Sequence, residues 1–252
     1  MKPVLCVENL CKTYPGFSLD RVSFSLAAGR IMGLIGKNGA GKSTTLKSIL
    51  HMVAPQSGQV TMFGTDFYQN EQVCKQRLGV VFGGLDYYPL KKLSTLTAVT
   101  KTFYENWDQE QYQMYRKRFS LDENKKFKEL SNGMKVKYLL SLALSHHAEI
   151  LILDEPTSGL DPVSRDELLH IFRYLVKNEG CSILFSTHIT SDLDRCADDI
   201  TYIQNGKVLK SADKQTFLCS FDHLKTPQDT APLTLEEIML RTERSEWDET
   251  AL

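Results

Sequence analysis

Short apolar runs dominate the first quarter of the chain. They contain four or five residues rich in Val, Ile, Leu and Phe, and glycine, proline or charged residues bound them, which is typical of β-strands. The predicted strands are Val4–Val7, Val22–Leu26, Ile31–Ile35 and Gln59–Phe63. A glycine-rich turn and a helix interrupt this series, and the helix runs from Lys42 to about Met52, before Pro55.

Apolar residues in the middle of the chain, from 94 to 146, have mainly helical spacing. Asp108 and Gln111 resemble a capping box, in which a side chain at the helix start binds a backbone N–H. Tyr112, Tyr115 and Phe119 then recur on one face of the predicted helix. We expect this face to be buried.

Strands and helices alternate from Glu149 onward. The predicted strands are Glu149–Leu153, Ser182–Ser186, Ile200–Ile203 and Lys207–Lys210, and the predicted helices cover 162–177 and 190–196. Such alternation requires crossover connections, so it predicts an α/β fold with a mostly parallel sheet. The tail from Phe221 is polar, with one short helix predicted at Leu235–Arg241 after Thr234.

Composition narrows the possible classes of protein. The chain has 252 residues, of which 30 are Lys or Arg and 31 are Asp or Glu. Nucleic-acid binders usually have a basic surplus, so no nucleic-acid partner is expected. The six cysteines have no Cys-x-x-Cys spacing, which indicates reduced thiols in a cytoplasmic protein. No apolar run reaches the roughly 18 residues of a membrane span, and the N-terminus lacks signal-peptide features.

"GKNGAGKST" at residues 36–44 fits the pattern G-x-x-x-x-G-K-[ST]. The motif follows a predicted strand and opens a predicted helix, which is the context it requires. Its glycines allow backbone N–H groups to converge on phosphate oxygens. Lys42 can reach the β- and γ-phosphates, and Ser43 can bind Mg²⁺. The candidate nucleotide-binding residues here are Gly36, Lys37, Asn38, Gly39, Ala40, Gly41, Lys42, Ser43 and Thr44.

"EILILDEP" at residues 149–156 is an apolar strand that ends in two acids. Ligands of open α/β sheets bind beyond the carboxyl ends of strands, where Asp154 and Glu155 lie. Asp154 is the candidate Mg²⁺ ligand, and Glu155 is the candidate general base for an attacking water. Alone, such a pair is more often a solvated strand end, but the phosphate-binding motif favours the catalytic interpretation.

Three further positions carry a structural and a functional interpretation. Asp161, before Pro162, is predicted to cap a helix, and it is also a candidate nucleotide-binding residue. A lone histidine is usually structural or solvated, but His188 ends the strand "ILFSTH", which places it near a γ-phosphate and makes it a candidate catalytic residue together with Lys42 and Glu155. "LSNGM" opens another helix, and Gly133 in its first turn costs roughly 1 kcal/mol relative to alanine.

In this order, the segments resemble the nucleotide-binding subunit of ATP-binding-cassette (ABC) transporters over nearly all of residues 2–215. The resemblance implies a P-loop NTPase (RecA-like) core with a mostly parallel sheet, an N-terminal antiparallel β region and a helical subdomain. It implies an ATPase domain over 1–220, with the helical subdomain at approximately 84–147, and a polar tail over 221–252. The equivalent family segments are Walker A at 36–44, the Walker B strand at Ile150–Asp154, the catalytic Glu155, the D-loop Ser158–Asp161 and the switch His188.

The resemblance also implies how this subunit works. Tyr14 corresponds to the aromatic residue that stacks on adenine, and Phe17 is a weaker candidate. "LSNGM" corresponds to the signature sequence, whose helix points at the γ-phosphate of ATP bound to another subunit. Gly133 then allows backbone N–H groups to approach that phosphate, and Ser131 donates its hydroxyl. The expected cofactors are ATP and Mg²⁺, and a second ATP-binding subunit, identical or different, completes the site.

Two departures from the family pattern are present. Asn132 and Met134 replace a glycine and a glutamine of the signature, and Gly83 stands where the family has a glutamine. Asp86 is the nearest polar candidate to substitute for that glutamine. These features resemble a bacterial exporter branch that moves peptides or antibiotics, as does the segment 185–207.

A transmembrane permease is the expected second partner, docked near residues 83–100, which places the chain on the inner face of the cell membrane. Tyr87, Tyr88 and Pro89 fit either this contact or the core of the subdomain. Two other functions stay open: a soluble ABC-type ATPase that acts on ribosomes or nucleic acid, and a regulatory module with weak hydrolysis.

Overall fold

An antiparallel sheet forms the N-terminal part of the computed structural model, which describes residues 3–82, 88–229 and 231–244. The strand order is β2-β1-β4-β5. The strands are β1 Pro3–Tyr14, β2 Phe17–Ala27, β4 Ser57–Met62 and β5 Thr65–Asp66. This sheet confirms the predicted antiparallel region. Strands β1 and β2 are longer than predicted because register shifts carry their pairing past polar residues such as Glu8.

A six-stranded sheet forms the centre of the fold, in the order β10-β9-β3-β8-β7-β6. Its strands are β3 Ile31–Ile35, β6 Leu78–Phe82, β7 Ile150–Asp154, β8 Ser182–Thr187, β9 Asp199–Gln204 and β10 Lys207–Asp213. Every neighbouring pair is parallel except β9 and β10, so the predicted mostly parallel sheet is confirmed. The prediction missed β6, because a five-residue apolar run gives no periodicity that separates a strand from other buried segments.

Nine α-helices surround the sheets in the described residues. They are α1 Lys42–Ile49, α2 Glu71–Lys75, α3 Leu93–Thr100, α4 Gln109–Arg118, α5 Asn132–Ser145, α6 Pro162–Glu179, α7 Thr190–Cys196, α8 Lys214–Ser220 and α9 Leu235–Arg244. Helix α1 ends three residues before the predicted Met52, and α2 and α8 were not predicted. None of these helices is long and apolar enough to cross a membrane.

Helices α3, α4 and α5 pack around a cluster of buried tyrosines. Tyr112, Tyr115 and Phe119 are all buried, as their spacing predicts. Asp108 accepts a hydrogen bond from the backbone N–H of Gln111 at 2.9 Å, so its predicted capping role is confirmed. This cluster packs against α5 and so fixes the position of the helix. The N-terminus of α5 carries the predicted signature residues.

Of the residues predicted to touch a permease or the helical core, Tyr88 is 65% exposed and Pro89 is half-buried. The exposure of Tyr88 excludes it from the core. Gly83, Asp86 and Tyr87 lie outside the described residues.

A buried histidine ends α5. The His146 ring stacks on Tyr104 with centroids 3.6 Å apart, and its Nδ1 lies 3.1 Å from the carbonyl oxygen of Gln76. Burial lowers the pKa of His146 to about 4. Between pH 6.5 and pH 4 the unfolded chain therefore binds a proton that the folded chain does not bind, so the free energy of unfolding falls as the pH falls.

We expect His146→Asn to remove this dependence, because asparagine keeps a hydrogen-bond donor but does not titrate. The difference in free energy of unfolding between parent and variant should change by about 1.4 kcal/mol per pH unit between pH 6 and 4.5. Urea denaturation across this range measures it. His147→Asn, at the exposed neighbouring position, is the control and should keep the parental slope. Equal slopes in all three proteins would contradict the assignment.

Candidate functional site

The predicted nucleotide-site residues lie at the carboxyl ends of three neighbouring strands, at one edge of the central sheet. Strand β8 lies between β3 and β7, and all three are parallel. The glycine-rich loop follows β3, Asp154 ends β7, and His188 follows β8. Parallel order therefore explains why segments more than a hundred residues apart in sequence meet here.

The loop after β3 is folded tightly against the sheet. Gly36 has a φ of +154°, and a Cβ atom there would lie 2.2 Å from the carbonyl oxygen of Ile203, so only glycine fits. The N–H of Ala40 donates to the carbonyl oxygen of Lys37 at 3.1 Å. Helix α1 begins directly after Gly41, which offers no side-chain cap. The first N–H groups of α1 are therefore available to an anion.

A carboxylate joins this loop to the neighbouring strands. Asp154 is 7% exposed, and its Oδ1 accepts hydrogen bonds from Ser43 Oγ at 3.0 Å and Ser186 Oγ at 2.6 Å. Ser186 Oγ in turn accepts a hydrogen bond from the N–H of Glu155 at 2.9 Å. Sequence analysis missed Ser186 as a site residue, and the available signal was a hydroxyl two residues before His188 in an apolar run.

Glu155 lies between two basic side chains. Its Oε1 is 3.2 Å from Lys42 Nζ, and its Oε2 is 2.8 Å from His188 Nδ1. Lys42 is buried and also donates to the carbonyl oxygens of Gly36 and Lys37, at 2.8 and 3.3 Å. The structure thus brings the three predicted catalytic residues into one connected cluster.

A groove of about 640 Å³ runs along this cluster. The predicted residues on its wall are Asn38, Gly39, Gly41, Lys42, Ser43, Thr44, Glu155 and His188. A second groove of about 470 Å³ shares Gly16, Phe17 and Gly39 with the first, and Tyr14 lines it. Tyr14 is 39% exposed, and Lys12 Nζ lies 5.4 Å from its ring centroid. Phe17, the weaker candidate, lines both grooves.

The side chain of Lys37 is directed away from the groove, unlike those of Asn38 and Thr44. Its Nζ lies 2.7 Å from Glu243 Oε2 on α9. The glycine-rich motif predicts a nucleotide contact for Lys37, and its backbone stays a candidate for that contact while its side chain lies against α9.

Ser131, Gly133 and Asp161 do not line either groove. Ser131 caps α5, where its Oγ accepts a hydrogen bond from the N–H of Met134 at 3.3 Å. Asp161 caps α6 by accepting from Val163 and Ser164 N–H at 3.0 Å each. Hydrogen bonds from Ser164 lower the pKa of Asp161. The predicted capping role of Asp161 is confirmed, Ser131 also caps its helix, and neither residue lines the groove along the phosphate loop of its own chain.

Gly133 is not required by the packing of this chain. A Cβ atom there would lie 3.7 Å from Leu160 Cδ2 and from Ser164 Cβ, which is ordinary van der Waals contact. Gly36 differs in this respect, because the structure leaves no room for a Cβ atom at that position.

A phosphate-binding loop at a helix N-terminus, facing an acid pair across parallel strands, defines a P-loop nucleotide-binding protein. The family described as ABC transporter matches residues 19–158. The bacitracin transport ATP-binding protein BcrA of Bacillus licheniformis is 31% identical over 238 residues, which cover 89% of this chain and 72% of BcrA. The chain belongs to the ABC transporter family, and its ATP-binding cassette is an ATPase coupled to transport.

Solved structures support the same fold. The structure of an ATP-binding subunit of an ABC transporter has a TM-score of 0.81 and 25% identity, and the match covers 95% of this chain and 99% of that one. A dimeric ATP-binding cassette, in a post-hydrolysis state bound to ADP and phosphate, has a TM-score of 0.72 and 21% identity. That match covers 83% of this chain and 98% of the other.

Ser186→Ala tests the contacts that fix Asp154. The variant removes a donor to a buried carboxylate and an acceptor for the Glu155 N–H, so the free energy of unfolding should fall by about 1–3 kcal/mol. Urea denaturation at neutral pH measures the loss. Ser158→Ala changes an exposed serine at the same edge and should have little effect. A similar small effect in both variants would show that Ser186 does not support the site.

Proposed function

We propose that this chain hydrolyses ATP in a dimer whose closure drives a separate transmembrane permease, for export of a peptide, an antibiotic or another amphipathic compound. The observation that carries the hydrolytic role is the contact of Glu155 with both Lys42 and His188. The similarity to BcrA, a bacitracin transport ATP-binding protein, supports the transport of such compounds.

The cluster supports a division of roles during hydrolysis. The phosphate groups of a bound nucleotide compete with Glu155 for the ammonium group of Lys42. When they bind Lys42, the carboxylate of Glu155 is released. The free carboxylate of Glu155 then accepts a proton from the water that attacks the γ-phosphorus. The bond between the γ-phosphorus and the bridging oxygen breaks, giving ADP and phosphate. His188, bonded to Glu155, holds the carboxylate in place and lies where it can contact the γ-phosphate.

Ser43 and Asp154 fit a magnesium ion. Ser43 Oγ and Asp154 Oδ1 are hard oxygen donors 3.0 Å apart, next to the phosphate loop. Mg²⁺ is usually held by one or two such protein oxygens together with substrate phosphates. These two residues would hold the ion, and its positive charge would neutralise part of the negative charge of the phosphates.

The arrangement of α5 supports a shared site. Ser131 is exposed and Gly133 is half-buried at the N-terminus of α5, and neither residue lines the groove along the phosphate loop of its own chain. In the proposed dimer the backbone N–H groups at this N-terminus bind the γ-phosphate held by the other subunit. Asp161 lies near the same interface. The similar cassette that was solved as a dimer supports the pairing of two subunits.

The proposed permease contact lies near residues 83–100, of which the structure describes 88–100. Exposed apolar side chains there are Tyr88, Leu90 and Val99. Exposed apolar side chains can mark a protein interface. This contact would place the chain at the inner face of the membrane.

Glu155→Gln tests the general base. The amide cannot accept the proton, so ATP turnover should fall by about a factor of 10²–10⁴ while ATP binding persists. Phosphate release measures turnover, and sedimentation with ATP should detect a stabilised dimer. Glu149→Gln, at the opposite end of β7 and exposed, is the control and should turn over ATP normally. Parental turnover in Glu155→Gln would exclude Glu155 from this role.

Mixing two inactive variants tests the shared site. Gly133→Ala alters the α5 N-terminus, and Lys42→Ala alters the phosphate loop, so each homodimer should hydrolyse ATP poorly. In a mixture, mixed dimers hold one intact site, and activity should return to about a quarter of the parental rate if pairing is random. Gly133→Ala alone should fold with parental or slightly greater stability. Two folded variants that stay inactive when mixed would contradict the shared site.

A further inference from the structure

The C-terminal helix α9 is fixed to the core at several points. Leu235 and Ile238 are fully buried. Arg241 binds Asp229 through two hydrogen bonds, at 2.6 and 2.8 Å, and donates to the carbonyl oxygen of Leu224 at 2.9 Å. Thr234 and Glu237 form reciprocal hydrogen bonds that cap the helix start. Side chains near the end of α9 therefore project from a rigid element.

Glu243 connects this helix to the nucleotide site. Its Oε2 lies 2.7 Å from Lys37 Nζ, and its Oε1 accepts a hydrogen bond from Tyr202 Oη at 3.0 Å. Tyr202 is fully buried on β9 and pairs with Ile35, the last residue of β3 before the loop. The carboxylate thus bridges α9, the sheet and the phosphate loop.

Lys37 is a structural residue of the loop. Its carbonyl oxygen accepts hydrogen bonds from the N–H of Ala40 and from Lys42 Nζ. Its side chain lies on the far side, against α9. A contact that fixes the Lys37 side chain therefore also restrains the turn that presents Lys42.

We propose that Glu243 is a positioning residue for nucleotide binding, which acts by fixing Lys37 and with it the first turn of the phosphate loop. The inference rests on the proposed ATP-binding role of that loop. It assigns a role in the nucleotide site to the C-terminal helix.

The direction in which ATP affinity changes when Glu243 is removed distinguishes a positioning role from a purely electrostatic one. Glu243 is a negative charge near a site for an anion, so a purely Coulombic influence would weaken ATP binding, and its removal would tighten binding. A positioning role predicts the opposite, because removal of Glu243 lets the loop sample conformations that do not bind phosphate. The Lys37 side chain is half exposed, so the effect should be modest.

Linkage gives a second consequence. If α9 stabilises the binding conformation of the loop, nucleotide must stabilise α9 to the same extent. Amide hydrogens of α9 should then exchange more slowly when nucleotide binds. The N–H groups of residues 36–44 should also exchange faster without nucleotide once the contact is lost.

The experiment compares the parent chain with Glu243→Gln. Calorimetric titration with Mg²⁺ and a non-hydrolysable ATP analogue should give a Kd raised about three- to fivefold. The turnover number at saturating ATP should stay within about a factor of two, because the catalytic cluster is unchanged. Hydrogen exchange without nucleotide should show faster exchange in residues 36–44, a readout independent of activity.

Controls separate the outcomes. Glu236→Gln alters an exposed carboxylate on the same helix and should match the parent. Lys37→Met should raise the Kd to the same degree as Glu243→Gln, and the double variant should be no worse than either. An unchanged or lower Kd in Glu243→Gln, or additive effects in the double variant, would overturn the inference. Failure of the parent to bind the analogue would instead contradict the proposed function.

Discussion

A buried carboxylate at the edge of the parallel sheet sets the geometry of the nucleotide site. Asp154 is nearly inaccessible to water, and a charge in such a place needs hydrogen-bond donors. Ser43 and Ser186 supply these donors from the segments that follow β3 and form β8. The same contacts therefore fix the phosphate loop, the acid pair and the histidine strand relative to one another.

The conformation of Glu155 depends on this arrangement. Its φ of +50° is unfavourable for a residue with a side chain and costs on the order of 1–3 kcal/mol. Ser186 holds its N–H, while Lys42 and His188 hold its carboxylate. Restraint at both ends keeps the side chain directed into the groove. Such preorganisation suits the proposed role of Glu155 as a general base, which would meet a water molecule in one orientation.

The sequence predicts this structure well where the determinants are local or periodic. The phosphate loop at 36–44 follows from glycine spacing between a strand and a helix, and the strand that ends in two acids follows from its apolar run. Short buried strands such as β6 carry no distinguishing period. In the sequence, Ser186 is only one hydroxyl residue in an apolar strand. Its hydrogen bonds to Asp154 and to the N–H of Glu155 become apparent only in the structure. Glu243 lies 206 residues from Lys37, so no spacing rule connects them.

Gly36 and Gly133 lie near the site, but different constraints account for the glycine at each position. The difference bears on how the protein works. Gly36 is explained within the chain, because the carbonyl oxygen of Ile203 occupies the place of a Cβ. Gly133 has room for a side chain, and Ser131 already caps its helix. A glycine in the first turn of a helix that local packing does not require fits the proposed contact with a second subunit. The phosphate of a nucleotide bound to a second subunit has the charge and the size that an exposed helix N-terminus accepts.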